Sequence, residues 1–439
     1  MWARMTSRKM LDPGATNSPS AAAPTGSHVL SPPEPAERAR GLLAVLACLT
    51  AVGPLAIDMY IPGFPAMSRT LHTSSPAIQL TLTAFLAGVV VGQIVIGPVS
   101  DSLGRRGLLI GGCAGFALVA LACAFAPGVG TLIAARFLLG FVGAAGMVLA
   151  RAVITDRFHG PEVPRHFALL SQIMSVAPVV APVIGGAILS VSSWRTVFGA
   201  LSLAGVLLLI AVLVKVPESL PPERRQRAGL VGTFQVMGRL TRNRSFMGCA
   251  LVLGLASAAL FSYISGSSFV FERIHGTSPA VYSLIFAVNA VGMLLAGALF
   301  SRLSLRVSVK ALLTVSVAVC LAGTLAQVLL TVALGDRFAV SWICLFVVLW
   351  GIGMLLPATM TLGQNLGRAA PGAASALLGG LQFLFGAIAS PVVGLFGETS
   401  SLPMSLVMLV SAALAALALI VLVRPGSVTP SERDMVMDS

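Results

Sequence analysis

Asp58 is a carboxylate set inside an apolar stretch, Gly41–Pro62, GLLAVLACLTAVGPLAIDMYIP. An ionised side chain in hydrocarbon costs roughly 2.5 kcal/mol or more, so such a residue is kept for work: exchanging a proton, meeting a substrate, or both. Of the fifteen acids, the other fourteen fall in segments that read as tails or loops. Arg136 is the matching base, alone inside an apolar run. Tyr60, Gln93, Gln172, Tyr263, Asn289 and Gln382 also interrupt apolar runs. Each suits the wall of a cavity that orients a small ligand, or a hydrogen bond between helices. Bond-making chemistry finds no such support. Histidines 28, 72, 159, 166 and 275 lie in the tail or in loops, and the six cysteines sit in apolar runs with no CxxC pair. With no nucleophile, base or metal-ligand cluster to assign, neither an enzyme nor a metal or other cofactor is expected.

These residues must be held by elements that cross lipid. The chain is 56% hydrophobic and 10% charged, with a mean hydropathy of +0.95, where a soluble domain carries about 25% charged residues. Twelve runs reach the roughly 20 residues that a crossing needs: 41–62, 77–98, 107–126, 130–150, 167–190, 196–214, 247–269, 280–301, 309–333, 339–363, 372–396 and 402–423. Residues 1–40 are rich in Pro, Ser, Ala and Gly and read as a disordered tail, and 425–439 read as a C-terminal tail. Segment 215–246 divides the spans six and six, 41–214 before it and 247–424 after it. Within it, LVGTFQVMGRL has the pattern of a short helix lying on the inner leaflet.

With the N-terminus inside, 23 Lys and Arg fall on the cytoplasmic side and 4 outside, so both termini are expected in the cytoplasm. The same scatter over short loops argues against nucleic acid as the partner of a chain with net charge +13. Orientation also sets depth. At 1.5 Å per residue, Asp58 and Arg136 lie roughly 6 and 9 Å below the outer boundary. Two buried charges at one level are expected to pair or to face a shared wet cavity.

The loop after the second run reads Gly97-Pro-Val-Ser-Asp101-Ser-Leu103-Gly104-Arg105-Arg106, and 200 residues later Gly297, Leu303 and Arg306 repeat part of it. The first copy, through Gly97, Asp101, Gly104, Arg105 and Arg106, resembles the signature loop of the major facilitator superfamily. Asp58-Met-Tyr-Ile-Pro62 is similar to the D-M-Y-L-P motif of that family's bicyclomycin/chloramphenicol-resistance (Bcr/CflA) branch of drug:proton antiporters. Arg136-Phe-Leu-Leu139-Gly140 resembles R-x-x-Q-G, with Leu139 in place of the glutamine. Pro178 precedes Ala181-Pro182-Val-Ile-Gly185-Gly186, which is similar to the antiporter motif G-P-x-x-G-G with alanine at its first position. FSYISGSSFVF from Phe261 and SALLGGLQFLFGAIASP are looser likenesses.

The resemblance implies an all-α polytopic fold, twelve transmembrane helices in two pseudo-symmetric six-helix bundles. It implies efflux of small, largely apolar drugs by a monomer in a bacterial cytoplasmic membrane, driven by the proton gradient without a cofactor. Asp58 and Arg136 would couple protons, and the signature loop would lock the inner side. A proton-coupled carrier of a small metabolite, taken up or exported, shares the same fold.

Overall fold

The computed structural model describes residues 36–158, 162–225, 237–368, 370–395 and 400–423, and these are helical with no strand among them. Twelve helices among the described residues are long and apolar enough to cross a membrane. In chain order these spans are Arg40–Thr70, Ser75–Leu103, Arg105–Ala124, Val129–Arg157, Arg165–Val191, Trp194–Lys215, Arg244–Ile274, Pro279–Leu303, Val309–Leu334, Phe338–Leu366, Gly372–Leu395 and Leu402–Val423. Both expected tails lie largely outside the described residues, as does most of the LVGTFQVMGRL segment.

Two boundaries differ from expectation in ways that bear on the site. The first helix runs Ala36–Asp58, so it starts within the stretch expected to be tail and stops at the carboxylate itself. The good helix formers of Ala-Glu-Arg-Ala-Arg carry it back to residue 36. Pro62 and Pro65 lack the N–H groups that would continue the ladder, and the chain passes through a 3-10 turn, Ile61–Gly63, into a short helix, Phe64–Thr70. The seventh span outruns its expected end near 269, because the helix Arg244–Ser268 continues as a π-helix over Phe269–Ile274.

Packing repeats with a period of six spans. The second span packs on the fourth and the eighth on the tenth; the third packs on the sixth and the ninth on the twelfth; the first packs on the fifth and the seventh on the eleventh. The second and fourth approach to backbone contact. A Cβ on Gly88 would stand 2.0 Å from Phe137 O, and one on Gly140 would stand 2.0 Å from Phe85 O. Their counterpart is Gly353 against Met293 O. In lipid, where apolar area drives little association, such small-residue contacts hold helices together.

The two bundles meet along the second and eleventh spans and along the fifth and eighth. Hydrogen bonds from Gln79 Nε2 to Ser265 O (3.2 Å) and from Thr83 Oγ1 to Ala387 O (3.0 Å) cross between them. Both lie toward the end of the molecule that holds Tyr60, where Phe64 also meets Phe269 across the interface with ring centroids 6.1 Å apart.

Candidate functional site

Between the bundles, a cavity with about 830 Å³ of empty space, part of it open to solvent, takes its wall from both. Asp58 reaches it from the last residue of the first helix and is 3% exposed, with Oδ1 lacking a hydrogen-bond partner. Tyr263, Asn289 and Gln382 supply its other polar side chains, and the remaining lining is apolar, including Phe85, Phe286, Phe383, Met147, Met174 and Met293. Its apolar wall and few convergent polar groups suit a small, mostly apolar ligand, with flexible methionines able to refit around different shapes. Asn289 is itself held. Trp342 Nε1 donates to its Oδ1 at 3.2 Å, and its Nδ2 donates to Tyr263 Oη at 3.1 Å.

Of the two arrangements expected for Asp58 and Arg136, the ion pair does not form, and Asp58 lines the cavity without Arg136. Arg136 is wholly buried; its Nη1 donates to Ala56 O at 2.9 Å, and its Cζ sits 4.1 Å over the Tyr60 ring and 4.3 Å over Phe85. The guanidinium thus meets the carbonyl-rich end of the Asp58 helix and two aromatic faces, all of which attract a cation. Ala56 and Asp58 are two residues apart, about 200° around the helix. One can therefore hold the arginine while the other faces the cavity. Nε and Nη2 of Arg136 have no partner.

Of the six polar candidates, Tyr263, Asn289 and Gln382 line the cavity and three do not. Tyr60 turns away to sit beneath Arg136, with Oη 3.3 Å from Thr81 Oγ1 and its ring against Phe64 and Phe198. Gln93 lies in the seam with the eleventh span, where its Oε1 is 4.0 Å from the place of a Cβ on Gly379. Gln172 is exposed on the fifth span.

The fifth-span motif divides by role. Pro178 lines the cavity, whereas Ala181, Pro182, Gly185 and Gly186 are buried in contacts. A Cβ on Gly185 would fall 1.9 Å from Met59 O, and one on Gly186 would fall 2.2 Å from Ser283 Oγ. The pair seats the fifth span against the break after Asp58 on one side and the eighth span on the other.

At the opposite end, the stretch Gly97–Arg106 expected as a loop is helical except at Gly104, because the second span runs on to Leu103 and the third starts at Arg105, and its charges form a network in which Arg106 Nε lacks a partner. Gly104 turns the chain at φ +101°, a region that favours glycine. Arg105 bonds to Asp101 (2.7 Å), Asp156 (3.1 Å) and Ser100, and Arg106 donates to Leu213 O (3.0 Å). Asp156 also accepts from Ser219. A Cβ on Gly97 would stand 3.9 Å from Val148 Cγ1, so this glycine is not demanded by close packing. Sequence reasoning missed the residue that ties this loop down, Glu218. Its carboxylate accepts the N–H groups of Arg105, Arg106, Ser219 and Leu220, and so caps the third span's N-terminus. Burial pushes the Glu218 carboxyl up, but those four donors outweigh it and hold the group below its ordinary range.

Asp58 is not the lone intramembrane acid that the apolar runs suggested. The π-helical extension draws Glu272 into the seventh span, where its Oε1 is buried without a partner. Just beyond the span, burial holds His275 below its ordinary range against the pull of Asp336. Cys113, Cys123, Cys249, Cys320 and Cys344 are buried between helices, and Cys48 is exposed.

A family model described as "Major Facilitator Superfamily" matches residues 46–391. The chain is 40% identical over 379 residues to the MFS-type transporter YdgK of Bacillus subtilis (strain 168), covering 86% of this chain and 94% of that one. It is 28% identical over 369 residues to a bicyclomycin resistance protein homolog of Haemophilus influenzae, covering 82% and 91%. Among solved structures, a bacterial homologue of the human lysosomal transporter Spinster, inward-facing and unoccupied, superposes with a TM-score of 0.68 at 17% identity, covering 90% of this chain and 99% of the other.

Proposed function

The chain belongs to the major facilitator superfamily, and from that membership we propose that it exports small, largely apolar drugs, phenicol- or bicyclomycin-like, in exchange for protons. The observation that carries the reading is Asp58: a carboxylate with an unpartnered oxygen, in an apolar cavity walled by both bundles. A charge left there without a partner is costly, so a proton or a polar group of the substrate has to meet it. Competition between those two is the simplest way to couple their movements.

Contacts toward the Tyr60 end support one state of an alternating cycle. With that end outside, as the excess of Lys and Arg on the opposite side favours, the cavity is closed to the exterior and the protein faces inward. Arg136 then has an indirect role, fixing the end of the Asp58 helix rather than pairing with the carboxylate. The antiporter-like motif would serve as the rolling contact, and the Gly97–Arg106 loop as a clamp that changes partners when the inner side closes. The setting is a bacterial cytoplasmic membrane with both termini in the cytoplasm, and a monomer holds the whole cavity.

Expression in a bacterium stripped of its own pumps tests this. Accumulation of chloramphenicol and of ethidium should fall when the chain is made, and should return to the control level when an uncoupler collapses the proton gradient. Export that persists without the gradient would sink the antiport reading. A carrier of a small metabolite is the other reading, and the polar set Asn289, Tyr263 and Gln382 is what favours it. A resistance profile with no drug affected, alongside a metabolite depleted from the cell, would select it.

A further inference from the structure

The fourth span outruns the stretch 130–150 expected for it and ends at Arg157, so it carries a second base, Arg151, within the helix. Arg136 is wholly buried, whereas Arg151 is exposed, about 22 Å further along toward the Gly97–Arg106 end. Among the described residues its side chain has a single hydrogen-bond contact, from Nη2 to Met174 Sδ at 3.7 Å. A thioether is a weak acceptor and leaves the charge in place. Among the described residues no carboxylate lies within ion-pair distance of it. The nearest acid in sequence, Asp156, is turned about 140° away round the helix and is shared by Arg105 and Ser219. An unpaired guanidinium in a span belongs where it meets water.

Neighbouring contacts fix which way this part of the span faces. Gly146 packs on the first span, where a Cβ would stand 2.8 Å from Leu49 O. Ala144 packs on the second, with its Cβ 2.7 Å from the place of a Cβ on Gly92. Met147 and Arg151, about one turn apart, both point into the gap between those two directions. Met147 lines the cavity, and so does Met174, the residue that Arg151 touches. The guanidinium therefore stands at the rim of the cavity on the side of the Gly97–Arg106 end. Hydrogen bonds of Gln79 and Thr83 between the bundles hold the other end together, which leaves this rim as the mouth.

We propose that Arg151 is a charge filter at the mouth of the cavity, a specificity-determining residue that disfavours cationic drugs and favours neutral or anionic ones with exposed oxygen acceptors. The role rests on the drug-export reading above. A unit charge without a partner acts over several ångströms in a half-wet opening, where water screens it less than in bulk. Its planar fork also donates to carboxylate, nitro or carbonyl oxygens, which a cationic ring system lacks. Arg151 opposes the bias of Asp58, which when ionised draws cations toward the inner part of the same cavity. A ligand meets the positive mouth first and the carboxylate second, so net charge is sorted before the proton is exchanged.

The test uses everted membrane vesicles holding the full-length chain, which turn the cytoplasmic side, and so this mouth, to the medium. Chloramphenicol, neutral with a nitro group, and ethidium, a cation, are the probes. Initial uptake rates give KM and kcat for each. Arg151→Gln should raise the kcat/KM of ethidium relative to chloramphenicol about threefold, and Arg151→Glu about tenfold, through KM with kcat kept. Arg151→Lys, which keeps the charge, should hold the ratio near that of the unaltered chain. An unchanged or lowered ratio in R151Q and R151E would overturn the filter. So would an equal fall in kcat for both drugs, which would mark Arg151 as a structural or gating clamp. If R151E does not reach the membrane, R151Q decides by itself. Failure of the export reading shows separately, in the unaltered chain: neither drug is taken up at the expense of the proton gradient, and the filter falls with it.

Discussion

The two ends of this molecule treat charge in opposite ways. At the Gly97–Arg106 loop, Arg105 has three side-chain partners and Glu218 accepts four backbone N–H groups. At the cavity, Asp58 Oδ1 has none, and neither does Glu272 Oε1 nearer the Tyr60 end. A network satisfied except at Arg106 Nε stabilises one arrangement, whereas a buried charge with no partner raises the energy of the state it is in. The first is suited to holding a bundle together. The second is suited to being discharged by a proton or a ligand, which is what a cycle between states requires.

Substitutions can break that contrast. The largest effect is expected from Asp58→Asn. Export of chloramphenicol or ethidium should fall about tenfold or more, while the detergent melting temperature holds or rises, since the amide removes a charge that no partner offsets. A melting temperature that drops steeply would place Asp58 with the structural charges instead. Arg136→Ala should destabilise by about 2 kcal/mol or more, losing the Ala56 bond and both ring contacts, and Arg136→Lys should recover part of it. If export fails in R136K while the melting temperature is unchanged, the arginine acts directly in coupling, and its indirect role is wrong.

At the loop the expected loss is in stability. Arg105→Ala should cost about 1–2 kcal/mol in thermal unfolding, because Asp156 and Asp101 lose their cation. The smallest effect concerns Glu218, whose carboxyl is held below its ordinary value of 4.5. A depressed carboxyl contributes stability that is complete above the unfolded value and is lost as pH falls through the folded one. Melting of the unaltered chain should therefore be flat between about pH 5 and 8 as far as this group is concerned, and should decline below about 4. Glu218→Gln should lower the plateau slightly and lack that share of the decline. A plateau that is the same in both chains would show the four backbone bonds to be idle.

Much of this was readable from the chain. Twelve spans follow from hydropathy, because the need to cross hydrocarbon acts on each segment separately. The signature loop and Asp58 stood out by type and spacing. What escaped notice depended on partners distant in sequence or on local helix geometry. Glu218 is more than a hundred residues from the N–H groups of Arg105 and Arg106 that it caps, and it sits in a loop where a glutamate draws no attention. Glu272 looked like loop because the apolar run fades near 269; the π-turn that carries the span to Ile274 leaves no hydropathy signal.

The polar cavity candidates show where the division falls. Tyr60 and Gln93 were as eligible as Tyr263, Asn289 and Gln382, since each interrupts an apolar run. By itself the sequence determined how many helices there are, which residues are costly to bury, and which family's motifs they carry. Only the tertiary structure decided which of those residues face one another. A side chain's direction turns by about 100° per residue, so the face it presents depends on how each helix is rotated against its neighbours. Here glycine contacts such as Gly185 on Met59 set that rotation, sending Asp58 to the cavity and Arg136 to the aromatic box behind it.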